Sequence, residues 1–171
     1  MRSGVMQQID AGARQMIPLA LGLGGVLVMC MPYGLPHLAR VMPALGLMTV
    51  YYWAIRRPAA MPPVAAFVIG LWQDALTGGP LGLMALIFLL LRGFIVTQRP
   101  VFVGKAFLVD WWGLALVSSA GLAGGWALAG VYFGTVFEIR DLIVQILLTV
   151  ALYPVLARLF HHLLRAVPDG N

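Results

Sequence analysis

An all-α, polytopic membrane bundle is the fold class this sequence predicts, and three observations predict it. Hydrophobic residues make up 61% of the 171 and charged residues only 10%, whereas a soluble domain carries roughly a quarter charged residues. The apolar residues come in continuous runs, each near the roughly 20 needed to cross about 30 Å of hydrocarbon. Between the runs stand short basic loops and prolines. Pro32, Pro36, Pro43, Pro58, Pro62, Pro63, Pro80, Pro100 and Pro154 lie mostly at the run boundaries, where a missing N–H and a restricted preceding residue start or stop helices. Lipid offers no hydrogen bonds to the backbone, so continuous runs point to helices rather than to alternating barrel strands.

Six spans follow, at about 16–32, 38–55, 61–76, 81–98, 106–133 and 142–160, in a single integral membrane domain over residues 1–171. The polar start, Met1 to Gln15, leads into Met16–Met31 with no small-residue cleavage pattern behind it, and Met29 is too bulky for a lipoprotein processing site before Cys30. The first run is therefore expected to stay as a span, and the short start leaves no room for a separate domain. The second span contains Pro43; the third is short and is expected to re-enter or stop part-way. The fifth is longer than a bilayer requires and must tilt or protrude.

Charge sets the orientation. Six spans put Arg2, Arg14, Arg56, Arg57, Arg92, Arg99, Lys105, Arg158 and Arg165 on one side and only Arg40 and Arg140 on the other. The side rich in Lys and Arg is expected to be cytoplasmic, with both termini on it, and Asp74, Glu138 and Asp141 face outward. The net charge of +5 is distributed between apolar segments rather than on one soluble face, so it reads as orientation signal and not as a nucleic-acid surface. A lone Cys30 excludes an intrachain disulfide and a thiolate cluster.

Polar chemistry has few places to sit. Asp74 ends the apolar run from Phe67 and precedes a break at Gly78, Gly79 and Pro80. It is a candidate cap for the turn through Thr77 and Gly78, a candidate partner for Arg40 or Arg140 across the outward face, or a ligand group beside Trp72 and Gln73. Asp110 sits one turn into the fifth span, where an ion pair with Arg92 or Arg99 lowers the cost of keeping it there; Arg92 alone is expected to snorkel to the interface. Gly121, Gly125, Gly130 and Gly134 form small-x-x-x-small pairings that let helices approach closely. Tyr51, Tyr52, Trp53, Trp111, Trp112, Trp126 and Tyr132 read as interface anchors. His161 and His162, among Arg158 and Arg165, form a basic tail attracted to anionic lipid, without the companions a metal site needs. His37 has no evident partner. No catalytic or cofactor motif is present, and Gly22, Gly24 and Gly25 follow no strand, so neither an enzyme nor a bound cofactor is expected.

The run Tyr52 to Pro58 (Y-W-A-I-R-R-P), then Phe67, Gly70, Leu71 and Asp74, then Gly79-Pro80-Leu81-Gly82 with Ala85 and Leu86, resembles the signature of the rod shape-determining protein MreD family. Trp53, Arg56, Pro58, Phe67, Gly70, Asp74, Pro80 and Gly82 carry that match, which is densest over residues 50–90. The resemblance implies a six-helix fold similar to the S component of energy-coupling-factor transporters. It further implies a non-enzymatic scaffold of the cell-elongation complex in the bacterial inner membrane, supporting lateral peptidoglycan synthesis. The partners it implies are MreC directly, and MreB, RodA and its class B transpeptidase in the wider complex. The same kinship supplies an alternative, an S component-like binding subunit for vitamin uptake, with Trp72, Gln73 and Asp74 lining an outward pocket.

Overall fold

The computed structural model describes residues 3–31, 41–102, 107–135 and 137–166. Among them are six long helices, one four-residue helix and no strand. The helices are α1 (Ser3–Cys30), α2 (Leu45–Arg56), α3 (Pro63–Thr77), α4 (Leu83–Thr97), α5 (Arg99–Phe102), α6 (Phe107–Phe133) and α7 (Ile139–Ala166). The six long ones fall where the six apolar runs lie. By length and composition, α6 and α7 are the two that can cross a membrane, while Met16–Cys30, α3 and α4 are apolar but shorter.

The centre of the bundle is α2. Every residue from Gly46 to Ile55 is buried, and α2 packs against α1, α3, α4, α6 and α7. Its start differs from the expected second span at 38–55. The helix begins at Leu45 and has 12 residues, about 18 Å of rise, well short of a bilayer. Residues 42–44 are not helical, because a residue before proline is pushed out of the helical region, and Met42 precedes Pro43. That irregular backbone is partly buried at Met42 and Pro43 and fully at Ala44, so its polar groups need partners. Two side chains of α7 supply them. Gln145 Nε2 donates to the Met42 carbonyl at 3.1 Å, and the Ala44 N–H donates to Thr149 Oγ1 at 3.0 Å.

Pro154 lies inside α7, as it does inside the expected span at 142–160. A proline has no N–H, so the carbonyl four residues earlier, that of Val150, loses its helical partner. Trp111 Nε1 donates to that same carbonyl at 2.9 Å. This gives Trp111 a specific task beyond that of an interface anchor: it closes the gap in α7 from α6.

The α3–α4 hairpin is the tightest joint. Pro62 and Pro63 start α3, Gly78 ends it at φ +68°, and Gly82 precedes α4 at φ +95°, a region that favours glycine. Midway along α3, a Cβ on Gly70 would lie 2.5 Å from Ala85 Cα and 2.6 Å from the Met84 carbonyl oxygen. Backbone meets backbone there, and only glycine permits it. Gly121 and Gly125 of α6 are likewise close-packed, but against flexible side chains, Leu91 and Met84 respectively. Gly130 and Gly134 do a different job at the end of α6: Gly134 adopts φ +63°, and the Thr135 N–H donates to the Gly130 carbonyl at 3.2 Å.

The outer faces are apolar. Val64 is 70% exposed, Leu116 68% and Val131 82%, surface that is expensive in water and neutral in lipid.

Replacing Gly70 with alanine is expected to destabilise the chain by about 1–3 kcal/mol, because the new methyl meets backbone that cannot yield. Gly24→Ala has nothing within 4 Å of its added Cβ and serves as the tolerated control. Thermal unfolding of both variants in detergent checks the pair; equal stability of the two would contradict the close approach.

Candidate functional site

Two buried carboxylates, Asp74 and Asp110, sit at opposite ends of the bundle, joined by α4, which is 15 residues long, about 22 Å. Asp74 is 1% exposed. Its Oδ2 accepts the N–H of Gly82 at 2.9 Å and of Met84 at 3.0 Å, with Ala85 N–H at 3.4 Å. Oδ1 also receives Met84 N–H at 3.1 Å. These are donors of the first turn of α4, which has no side-chain cap of its own and leaves them otherwise unmatched. A carboxylate there also faces the positive end of the α4 dipole.

Asp74 is therefore a cap, but for the next helix rather than for the turn through Thr77 and Gly78. That turn closes itself: Gly78 N–H donates to the Asp74 carbonyl at 3.1 Å, and Thr77 Oγ1 donates to the Gln73 carbonyl at 2.8 Å. Of the two arginines considered as partners, Arg140 makes no ion pair with Asp74, and Arg40 lies outside the described residues, as do His37 and Lys105. Gln73, 4% exposed, is buried beside Asp74, while Trp72 is 39% exposed on the outer face.

At the other end, Asp110 is 5% exposed. Its Oδ2 accepts a hydrogen bond from the Tyr153 hydroxyl at 3.0 Å and pairs with Arg56 Nη2 at 3.4 Å. The Tyr51 hydroxyl donates to the Asp110 backbone carbonyl at 2.8 Å, and the Tyr51 and Tyr153 rings meet edge-on at 5.8 Å. Three helices, α2, α6 and α7, thus converge on one carboxylate.

The expected pairing of Asp110 with Arg92 or Arg99 is replaced by this one, because both arginines are engaged elsewhere. Arg92 Nε donates to the Met61 carbonyl at 3.0 Å and its Nη2 to that of Pro58 at 3.5 Å, so Arg92 ties down the α2–α3 loop instead of snorkelling. Arg99 Nε donates to the Ile55 carbonyl at 2.9 Å, one of the free carbonyls at the negative end of α2. Arg56 was readable in the sequence as a signature residue; its reach to Asp110 across 54 positions was not.

The other signature residues divide by task. Gly70, Asp74 and Gly82 build the α3–α4 joint, and the Pro80 carbonyl accepts the Leu83 N–H at 3.1 Å. Trp53 is buried in the α2 core, and Phe67 is 40% exposed on the outer face of α3. Pro58 supplies a carbonyl to Arg92. Two cavities among the described residues bear on the site. One, about 330 Å³, is lined by Trp126, Ala127, Gly130, Val131, Gly134, Thr135 and Phe137 at the end of α6. The other, about 320 Å³, lies beside the Asp110 cluster and is lined by Tyr52, Arg56, Phe107, Pro154, Ala157, Arg158, His161 and His162. Among the described residues, no three His, Cys, Asp or Glu side chains come together in a metal-binding group.

Fold and site together define a class: an all-helical protein with apolar outer faces, whose buried acids hold helices to one another rather than facing a reaction centre. The family model for the rod shape-determining protein MreD matches residues 13–163, and the chain belongs to that family. It is accordingly a membrane protein of the cell-shape machinery with a role in rod-shape determination, in a family of structural rather than catalytic proteins. No curated protein and no solved structure matches the chain.

Asp74→Ala is expected to lower unfolding stability by at least about 2 kcal/mol, since each buried donor left unmatched costs about 1–3 kcal/mol. Asp74→Asn keeps one acceptor oxygen and should lose less, a ranking that chemical denaturation in detergent can read. For Asp110, a double-mutant cycle with Arg56→Gln should show coupling of about 0.5–3 kcal/mol, whereas the cycle of Asp110→Asn with Arg92→Gln should be additive within about 0.5 kcal/mol. Coupling to Arg92 instead would reverse the assignment of partners.

Proposed function

We propose that this chain is a non-enzymatic, six-span scaffold of the bacterial cell-elongation complex, held in the inner membrane with both termini cytoplasmic and associated directly with MreC. Through that association it joins MreB, RodA and its class B transpeptidase, and supports lateral peptidoglycan synthesis. The observation that carries this reading is the family match over residues 13–163. The geometry supports it in a specific way. The signature residues Gly70, Asp74 and Gly82 act on the α3–α4 joint, so what the signature maintains is the shape of the bundle and the faces it offers to neighbours. The Arg-rich end, with Arg56, Arg92 and Arg99 around the C-terminus of α2, matches the side that the positive-inside rule assigns to the cytoplasm.

The vitamin-uptake reading needs an outward polar pocket. Asp74 is instead engaged by backbone N–H groups of α4 and lines neither of the two cavities. Scaffolding asks nothing of Asp74 beyond the geometry it already has.

Affinity purification of the chain in mild detergent is expected to co-elute MreC, and depletion is expected to turn rods into spheres. Uptake of a labelled vitamin that depends on the chain, with rod shape intact after depletion, would move the protein to the transporter class.

A further inference from the structure

The cavity beside the Asp110 cluster has features that the scaffold reading does not use. It is bounded by the C-terminal end of α2, the start of α6 and the last turns of α7, and its lining contains two arginines and two histidines but no acid. Arg56 directs one Nη at Asp110 across 3.4 Å, with its side chain 44% exposed, and its guanidinium carbon lies 5.6 Å from the centre of the Tyr52 ring. That contact uses one of five N–H donors, so most of the Arg56 fork is available to a further acceptor. Arg158 is exposed, and among the described residues no acid lies within ion-pair distance of it. Asp110 offsets one cation of the cleft, and Arg158 leaves it with positive charge to be matched.

A second, independent observation points to a ligand. Tyr52 lines the cavity and is 2% exposed, yet its hydroxyl is buried with no hydrogen-bond partner among the described residues. Its ring packs against Phe160, 5.3 Å away, and Trp53, 6.0 Å away, at the wall of the cleft. Buried polar groups in native proteins nearly always have partners. An oxygen-rich anion entering between Arg56 and Arg158 would provide one once the ring turns its hydroxyl toward the cleft.

The surroundings identify the kind of anion. Most of the lining comes from α7, with Phe107 from α6, and these two helices are long and apolar enough to cross a membrane. Next to the lining residues, Leu108 is 60% exposed, Val155 62% and Leu159 54%. A charged cleft with a half-exposed Phe107 in its wall, on helices whose neighbouring positions are bare and apolar, fits a molecule with a phosphate at one end and acyl chains at the other. Guanidinium groups match phosphate oxygens in geometry as well as charge, and basic pockets at the ends of spanning helices are where anionic headgroups lodge. We propose that this cleft binds the phosphodiester headgroup of an anionic phospholipid, with Arg158 and Arg56 on the phosphate and the Tyr52 hydroxyl on the headgroup. The inference rests on the membrane reading but not on any protein partner.

Native mass spectrometry of the full-length chain, purified in detergent, tests it. The probes are dioctanoyl-phosphatidylglycerol, dioctanoyl-phosphatidylcholine and inorganic phosphate. The wild-type chain should retain phosphatidylglycerol in preference to phosphatidylcholine, and Arg158→Gln and Tyr52→Phe should each weaken that binding by roughly tenfold, the effect of losing one charge-assisted hydrogen bond. Arg158 is exposed and Tyr52→Phe removes a single atom, so both variants should unfold at the wild-type temperature. Arg140→Gln, at the other end of α7, should leave binding unchanged. Equal retention of the two lipids, undiminished binding in both cleft variants, or an equal loss in Arg140→Gln would overturn the site. Inorganic phosphate bound as tightly as phosphatidylglycerol would overturn the lipid. None of these outcomes depends on MreC, and extraction of the chain from cells only by detergent checks the membrane reading separately.

Discussion

Buried backbone that is not paired within its own helix must find a partner from another one. In lipid there is no water to substitute, and each unmatched group costs several kcal/mol. Helix ends and breaks in this chain follow that constraint. The start of α4 is closed by Asp74 from α3, and the gap that Pro154 opens in α7 is closed by Trp111 from α6. The bent segment before α2 is closed by Gln145 and Thr149 from α7, and a free carbonyl at the end of α2 by Arg99. Each solution is also a fastener between elements, so one set of interactions serves both local satisfaction and tertiary order.

This explains why the few buried polar side chains are spent on joining helices. Asp74 and Asp110 are the buried acids among the described residues, and both are organised from several directions at once. Asp74 receives backbone N–H groups, with the dipole of α4 behind them. Asp110 receives a phenol and a guanidinium, from α7 and α2. Asp74 has both carboxylate oxygens engaged, while Asp110 keeps Oδ1 buried without a hydrogen-bond partner among the described residues. Among the described residues, cations outnumber acids beside an unmatched buried hydroxyl in the cleft at the ends of α6 and α7, and that is where an external group fits.

Membership in the MreD family and the geometry inform each other. Signature residues need not touch a ligand. Gly70 admits the Ala85 backbone, Gly82 takes a left-handed turn, and Asp74 holds the result. The densest part of the signature is thus a joint. A joint locked by backbone contact and charge-assisted hydrogen bonds fixes the faces of two helices.

Composition and the run lengths alone determined an all-helical chain with six apolar segments, because hydrophobicity and proline placement act locally and need no partner to be read. The signature around Asp74 was legible for the same reason: its residues lie close together in the chain. Helix depth was not. The second segment looked long enough to span, but Pro43 shortens α2 to 12 residues, and only α7 makes the bent stretch before it tolerable. Partner choice was not legible either. Arg92 and Arg99 stood nearer to Asp110 in sequence, yet the structure gives Asp110 to Arg56, since the free carbonyls of α2 and its loop draw the other two. Which donor meets which acceptor depends on where helix ends fall in space, and that is decided only when the helices pack.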